Sequence, residues 1–571
     1  NPKPQTPNPK PQTPNPYNMV NMSRLLGLLC VLSPIWGYEW TNPLAKQREQ
    51  PSKDPLAMDG LVSALLRLSP VLGSIETVLT HPSALPLPLH NILGTFADDV
   101  LQHHFGQAYT CDQCTKVERE IVDALGALFV GWKPITDELC KKVTEKSTLT
   151  EEGCKTIVAR YKPIFEQSYT KLMVQNHGLI CGFELQICPN SSISRVDVAP
   201  IVQQIMQGMP PPRPKTPTYR QNYTILQVAD IHIDLEYMPG GVVNCKEGIM
   251  CCRANKTATS DPPLHAGYWG DLRGDCDLPE HTFDQFITFV KENIKPDYIF
   301  WLGDNENHEV DMITKDTNVQ TTKILSQKLA TLVPDAKLFL AIGNHENMPV
   351  DNMDFNNVIA NQWFFNNLTS DYTPLLTKDE LAQIKSKGYY SSYIKEKNLR
   401  VISLYSAPKD SYNFYLLART YDPDLQFSWI WNQLKVAEQD NEDVFIIIHI
   451  PFGDGFSIGL WDELFDALVE RYQNNIRAVF SAHTHKDHLV FHRSRVSNQT
   501  VVKTEFVSPS LTTFTGKSPS FRVYTIDSDT NEIADYTQYR LDLNKYNKLG
   551  PNTTLSWDIA YTFREFYSLP D

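Results

Sequence analysis

Positive charge is scarce in this chain of 571 residues. Its 52 Lys and Arg stand against 66 Asp and Glu, a formal net charge of −14 at pH 7, which argues against nucleic-acid binding through a basic patch. Long apolar runs are also missing. The stretch Leu25–Trp36 is short and broken by Ser33-Pro34, so it does not read as a membrane span. With Arg24 before it and Met19 or Met22 as a start, it reads as the apolar region of a signal peptide, residues 19–37. Finally, Cys111-x-x-Cys114 has no second Cys-x-x-Cys to complete a zinc ribbon, and no βαβ pattern lies nearby to make a thioredoxin-like redox motif.

What the chain does have is five segments of ligand-type residues, each following a β-type hydrophobic run. Asp230-Ile231-His232 follows Thr224–Val228, Gly303-Asp304-Asn305 follows Tyr298–Leu302, and Gly343-Asn344-His345-Glu346 follows Lys337–Ala341. His449 follows Val444–Ile448, and His483-Thr484-His485 follows Arg477–Phe480. Open α/β sheets bind ligands at the carboxyl ends of their strands, so these groups are expected to converge on one crevice. Two Asp, one Asn and four His suffice to hold two divalent cations. Such a pair suits phosphate-ester hydrolysis, one metal activating water and both stabilising the in-line transition state. Singly each segment has a bland reading, a surface loop for Asp-x-His or a satisfied core histidine for His449; the force lies in their conjunction.

This order resembles the calcineurin-like metallophosphoesterase superfamily. The resemblance implies that one metal takes Asp230, His232, Asp304 and His485, and that the other takes Asp304 as bridge with Asn344, His449 and His483. The last motif departs in one place, with Ala482 where the family has Gly. Asn307 stands where purple acid phosphatases carry an iron-ligating Tyr, so a coloured iron site is not expected. The donors are all N or O, which suits zinc as well as manganese or ferrous iron; resemblance favours two Zn2+. His345 and His308 are the candidates for a general acid toward a poor alkoxide leaving group, with the proton not assigned between them. For His308 the alternative is a purely supporting partner, and Glu346 is read as orienting a neighbouring histidine.

Of 11 cysteines, Cys30 lies in the apparent signal, leaving ten, an even number that suits full pairing in an oxidising compartment. Sequons at Asn190, Asn222, Asn255, Asn367, Asn498 and Asn552 point the same way, toward the secretory pathway and a lysosomal or extracellular destination. Cys111, Cys114, Cys140, Cys154, Cys181 and Cys188 fall among amphipathic helix patterns such as Val117, Ile121, Leu125 and Leu128. The spacing resembles a saposin domain, which implies the pairs Cys111–Cys188, Cys114–Cys181 and Cys140–Cys154 and a peripheral contact with lipid. A stapled helical module without a lipid role is the alternative. Adjacent Cys251 and Cys252 are poorly placed to bridge each other, which points to pairing with Cys245 and Cys276.

Ala266-Gly267-Tyr268-Trp269-Gly270, Cys276-Asp277-Leu278-Pro279 and the end of the chain from Trp557 to Pro570 resemble acid sphingomyelinases. The family implies hydrolysis of sphingomyelin to ceramide and phosphocholine. A related phosphodiesterase acting on soluble nucleotides and a silent lipid-binding protein are the other readings.

The expected fold is α/β: a two-sheet metallophosphoesterase sandwich over 219–536, preceded by an all-α, disulfide-stapled saposin domain (107–192) and followed by a C-terminal helical tail (537–571). Helices are expected at Glu280–Asn293, Thr321–Leu332, Asp424–Asp440 and Trp461–Gln473. His488–His492, Lys503–Val507 and Phe521–Ile526 read as strands finishing the second sheet, with the tail packing through Trp557, Tyr561 and Phe566. Residues 193–218 form a Pro-rich linker, and 38–106 a helical N-terminal segment in which His103-His104 reads as an exposed helix end. Residues 1–18, built on a repeated Asn-Pro-Lys-Pro-Gln-Thr-Pro, are expected to be extended or disordered and are read as an artefact.

Overall fold

The computed structural model describes residues 140–141, 149–169 and 198–569, with 358, 419–421, 496 and 498–499 excepted. The signal, the Cys111–Cys188 and Cys114–Cys181 pairs, Asn190, Asn498 and the segment 38–106 lie outside those residues.

In chain order the strands are β1 (Asn222–Val228), β2 (Ile233–Asp234), β3 (Leu278–Pro279), β4 (Tyr298–Trp301), β5 (Lys337–Leu340), β6 (Tyr390–Ile394) and β7 (Leu399–Ser403). They continue with β8 (Asp443–Ile447), β9 (Ile476–Ser481), β10 (His488–Arg493), β11 (Val501–Val507), β12 (Ser520–Asp527), β13 (Ile533–Arg540) and β14 (Asp558–Thr562). Two six-stranded sheets result, ordered β14-β13-β12-β1-β4-β5 and β10-β11-β9-β8-β7-β6. Within the first, β1, β4 and β5 are parallel; within the second, β7, β8, β9 and β11 are parallel. The central strands β8 and β9 are buried along their whole length because both faces of the sheet are covered there.

Face to face, the sheets interlock through aromatic rings, with Phe300 and Phe480 centroids 5.0 Å apart and Phe480 and Tyr524 also 5.0 Å apart. Buried Gln227 crosses between them: its amide donates to the Ser481 carbonyl at 2.8 Å and its oxygen accepts from the Tyr524 hydroxyl at 2.6 Å. On the outer face of the second sheet lie helices Gln426–Gln439 and Gly459–Arg471, burying Phe427, Ile430, Leu464, Phe465 and Leu468. Helix Glu280–Phe289 covers the first sheet with Phe283, Phe286 and Phe289 and ends in a π-helical turn to Ile294. The helix expected from Thr321 begins earlier, at Lys315, because Thr314 and Thr317 close a capping box.

Three expectations need correction. Phe521–Ile526 does not finish the second sheet; as part of β12 it pairs antiparallel with β1 in the first. Nor is the tail wholly helical. Helix Leu543–Leu549 is followed by β14, an edge strand on β13, and by a short helix, Phe563–Phe566. Trp557 is buried against Phe286 and Phe289 as expected, but Phe566 is 63% exposed. The alternation of Ile559 and Tyr561 is a strand pattern that a helical reading missed. Within the linker, Ala199–Met206 is a helix, its Val202 and Ile205 buried against the second sheet's helical layer. The rest of the linker is tied down by Lys215, whose Nζ lies 2.8 Å from Asp443.

Of the expected saposin module, the described part is helical: helix Glu151–Tyr169 with Cys140 bonded to Cys154. Its Tyr161 hydroxyl donates to the Val350 carbonyl at 3.1 Å. No helix among the described residues is long and apolar enough to cross a membrane.

Candidate metal centre

The ladder hydrogen bonds continue past the strand ends and fix the ligand segments against one another. Asp230 N–H donates to the Gly303 carbonyl at 3.0 Å and His232 N–H to the Asp304 carbonyl at 3.1 Å. Across the second sheet, Ala482 N–H donates to the His449 carbonyl at 2.9 Å. Ala482 is itself fully buried, so its extra methyl is accommodated. Each of these segments must then turn sharply to aim its side chains inward. Asp230, His232, Asp304, His483 and His485 all have positive φ, between 40° and 69°. Non-glycine residues avoid this region, and such strain gathers where a side chain's direction matters more than backbone comfort. Gly303, at φ 82°, lies so close to Gly343 that a Cβ there would sit 2.3 Å from the Gly343 nitrogen. A Cβ on Gly343 would in turn lie 2.2 Å from Asp304 Oδ1, so neither position has room for a side chain.

All seven expected ligand residues come together. Asp230, His232 and His485 offer donor atoms within 4.8 Å of one another, as do Asp304, His449 and His483. Asp304 joins the groups, its Oδ2 3.4 Å from His232 Nε2 and 3.1 Å from His449 Nε2. Asn344 Oδ1 lies 2.9 Å from His483 Nδ1. Backbone carbonyls hold two of the rings: His232 Nδ1 is 2.7 Å from the Glu306 oxygen, and His449 Nδ1 is 2.5 Å from the Leu302 oxygen. Each Nδ1 therefore carries the proton and each Nε2 presents a lone pair inward, as metal-ligating histidines do. His449 Nε2 is buried without a hydrogen-bond partner. An unpaired buried lone pair beside carboxylates and imidazoles fits a divalent cation, and the donor set is that of a two-metal site.

The candidate acids stand at its edge. The His308 and His232 rings are 4.0 Å apart, His345 and His232 4.6 Å, and His308 and His345 4.9 Å. Burial holds both His308 and His345 well below the ordinary imidazole value. His345 Nδ1 is buried without a partner. Glu346 does not orient a histidine. Its carboxylate instead accepts the backbone N–H groups of Gly343 at 2.6 Å, Asn305 at 2.7 Å and Asp304 at 3.2 Å, and so grips the two glycine turns. Burial, with repulsion from Asp304, pushes it up to about 7.

Four contributors were not among the expected site residues. Asp277 accepts the His308 backbone N–H at 2.8 Å and lies 2.9 Å from its Nδ1, while Thr512 donates to the same carboxylate at 2.6 Å. Phe514 stacks on His308 at 3.9 Å with the planes 7° apart. Asp351 accepts the Asn344 amide N–H at 2.7 Å, which turns the amide oxygen toward His483. Only Asp277 carried a signal, its place in the Cys276-Asp277-Leu278-Pro279 stretch.

Comparison with known proteins agrees with this geometry. Residues 223–487 match the calcineurin-like phosphoesterase family. The chain is similar to sphingomyelin phosphodiesterase B of Dictyostelium discoideum, 30% identical over 69% of this chain and 61% of that protein. It is also similar to sphingomyelin phosphodiesterase 2 of Caenorhabditis elegans, 29% identical over 86% of this chain and 82% of that one. A human sphingomyelin phosphodiesterase is 29% identical over 61% of this chain and 55% of its own length. The matched region carries, at the strand ends of its α/β two-sheet fold, His and Asp clusters suited to divalent metals.

Proposed function

We propose that the chain hydrolyses sphingomyelin to ceramide and phosphocholine. The carrying observation is the convergence of seven N and O donors on two clusters joined by Asp304, in a domain whose relatives are named sphingomyelin phosphodiesterases. One cation is assigned to Asp230, His232, Asp304 and His485, the other to Asp304, Asn344, His449 and His483, with zinc favoured by the family resemblance, since the N and O donors suit manganese or ferrous iron as well. When bound, divalent ions supply an activated water and neutralise charge on the phosphoryl oxygens.

The protein's own groups orient and protonate. Asp277 fixes the proton of His308 on Nδ1 and leaves Nε2 for the leaving oxygen. His345 reaches the same region with its unpartnered Nδ1. Burial favours the neutral ring in both, so the charged acid form needs the negative phosphodiester beside it. Ceramide leaves as a poor alkoxide, which is why one of the two must deliver a proton. The expected saposin module would contact the bilayer, and a secretory, lysosomal or extracellular setting is assigned. Its support is the disulfides at Cys140–Cys154, Cys245–Cys251 and Cys252–Cys276. The exposed sequons Asn222, Asn255 and Asn552 agree; Asn367 is half-buried.

The test compares sphingomyelin liposomes with a soluble nucleotide diester at acidic pH, with and without chelator. Chelator-sensitive release of phosphocholine from the liposomes is expected. Preference for the nucleotide would move the substrate to the soluble class, and no hydrolysis of either would leave a lipid-binding protein.

A further inference from the structure

We propose that Arg253 is a positioning residue for His308, acting from the twin-disulfide loop between β2 and β3. The inference rests on the reading of His308 as a candidate acid. Arg253 is 8% exposed and bridges two buried carboxylates. Its Nε lies 2.9 Å from Asp234 and its Nη1 3.3 Å from Glu309. Asp234 is two residues beyond His232, and Glu309 directly follows His308. One guanidinium therefore ties together the segments carrying two adjacent imidazoles, 4.0 Å apart, whose separation sets where a leaving oxygen can meet a proton.

The same loop grips His308 from its other side. Glu309 also accepts the N–H groups of Ile249 and Met250, each at 2.9 Å, and both residues lie between Cys245 and Cys251, which are bonded to each other. Cys252, beside Arg253, is bonded to Cys276, and the next residue is Asp277, which takes both the backbone N–H and the Nδ1–H of His308. A side chain at position 248 would strike Glu309, since a Cβ there would lie 2.4 Å from its Oε1. Residue 308 is thus held at its own carboxylate partner and at its chain neighbour by a single crosslinked loop that supplies none of the seven ligands. The planar fork of Arg aims separate N–H groups at the two carboxylates in a fixed geometry, whereas an ammonium is a point charge.

Arg253→Lys keeps the buried charge, and Glu309→Gln keeps the shape should the first variant fail to fold. Three readings are taken on each folded variant: bound metal, turnover, and the downfield Nδ1–H proton resonance that the Asp277 contact gives His308. Metal content should match the parent. Turnover of sphingomyelin should fall roughly 10–100-fold, while a phosphocholine ester with a nitrophenolate leaving group, which needs no proton, should stay within about twofold. The resonance should shift or broaden. An unchanged resonance, loss of metal, or equal losses on both esters where His308→Ala tells them apart would overturn the proposal. If His308→Ala acts alike on both esters, the acid reading fails by itself, and the positioning claim is decided by the resonance.

Discussion

His449 and His483 issue from β8 and β9, strands in which every residue is buried and which pack Phe445 and Phe480 into the aromatic layer between the sheets. The stretch 235–277, which flanks His232 and His308, contains no strand. There the buried polar groups Arg253, Asp271 and Asp277 sit beside a small apolar cluster that includes Val243 and Ala266, and two disulfides cross it. A parallel ladder satisfies its own backbone groups and can bury apolar side chains on both faces. An irregular loop has to satisfy each donor individually, through named partners and covalent crosslinks. The ordered wall is therefore generic, and the loop wall is specific to this site.

Removing the residue common to both walls should have the largest effect. Asp304→Ala should empty both cation positions and reduce hydrolysis by on the order of 10³-fold or more, checked by metal analysis beside the assay. His345→Ala should lower turnover by about 10²–10⁴-fold with metal content intact; loss of metal along with activity would make His345 a part of the cage instead.

The walls themselves separate in stability measurements. In the ordered wall Phe480→Ala should cost about 3–5 kcal/mol, read from the denaturant midpoint. Replacing both Cys252 and Cys276 by Ser should cost about 3 kcal/mol through the freed loop. The second change should also disturb turnover at residual stabilities where the first does not. Equal functional effects would erase the distinction between the walls.

The smallest effect is pH-dependent. His492, in β10, has its Nδ1 2.8 Å from Asp466 and its Nε2 3.3 Å from Glu505. Burial opposes its charge, but the two carboxylates outweigh burial and raise it from 6.5 to about 9. Its stabilisation is fully present below pH 6.5 and is lost as pH rises through about 9. His492→Gln should lower stability by roughly 2 kcal/mol at pH 6 and much less at pH 9.5. A pH-independent difference in thermal midpoints would contradict this.

Much of the site was legible because its ligands sit at strand ends. Continuous apolar runs such as Val444–Ile448 reveal the strand, and the polar residue that breaks the run, His449, marks the crevice. The cysteine pairs around residue 250 were legible for a similar reason, since neighbouring cysteines exclude one another. Sheet membership was not. The apolar pattern of Phe521–Ile526 fits either sheet, and only the pairing of β12 with β1 decides between them. The role of Glu346 was misread because its partners are backbone N–H groups, which leave no mark on a sequence.

The order of ligand residues along the chain was enough to pick out the candidate donor chemistry, because donor type and strand-end position are local properties. Tertiary structure alone decided which groups surround that chemistry. Asp277 meets His308 from 31 positions away and Thr512 meets Asp277 from 235. Such contacts arise from how sheets and loops close on each other, and no local spacing encodes them.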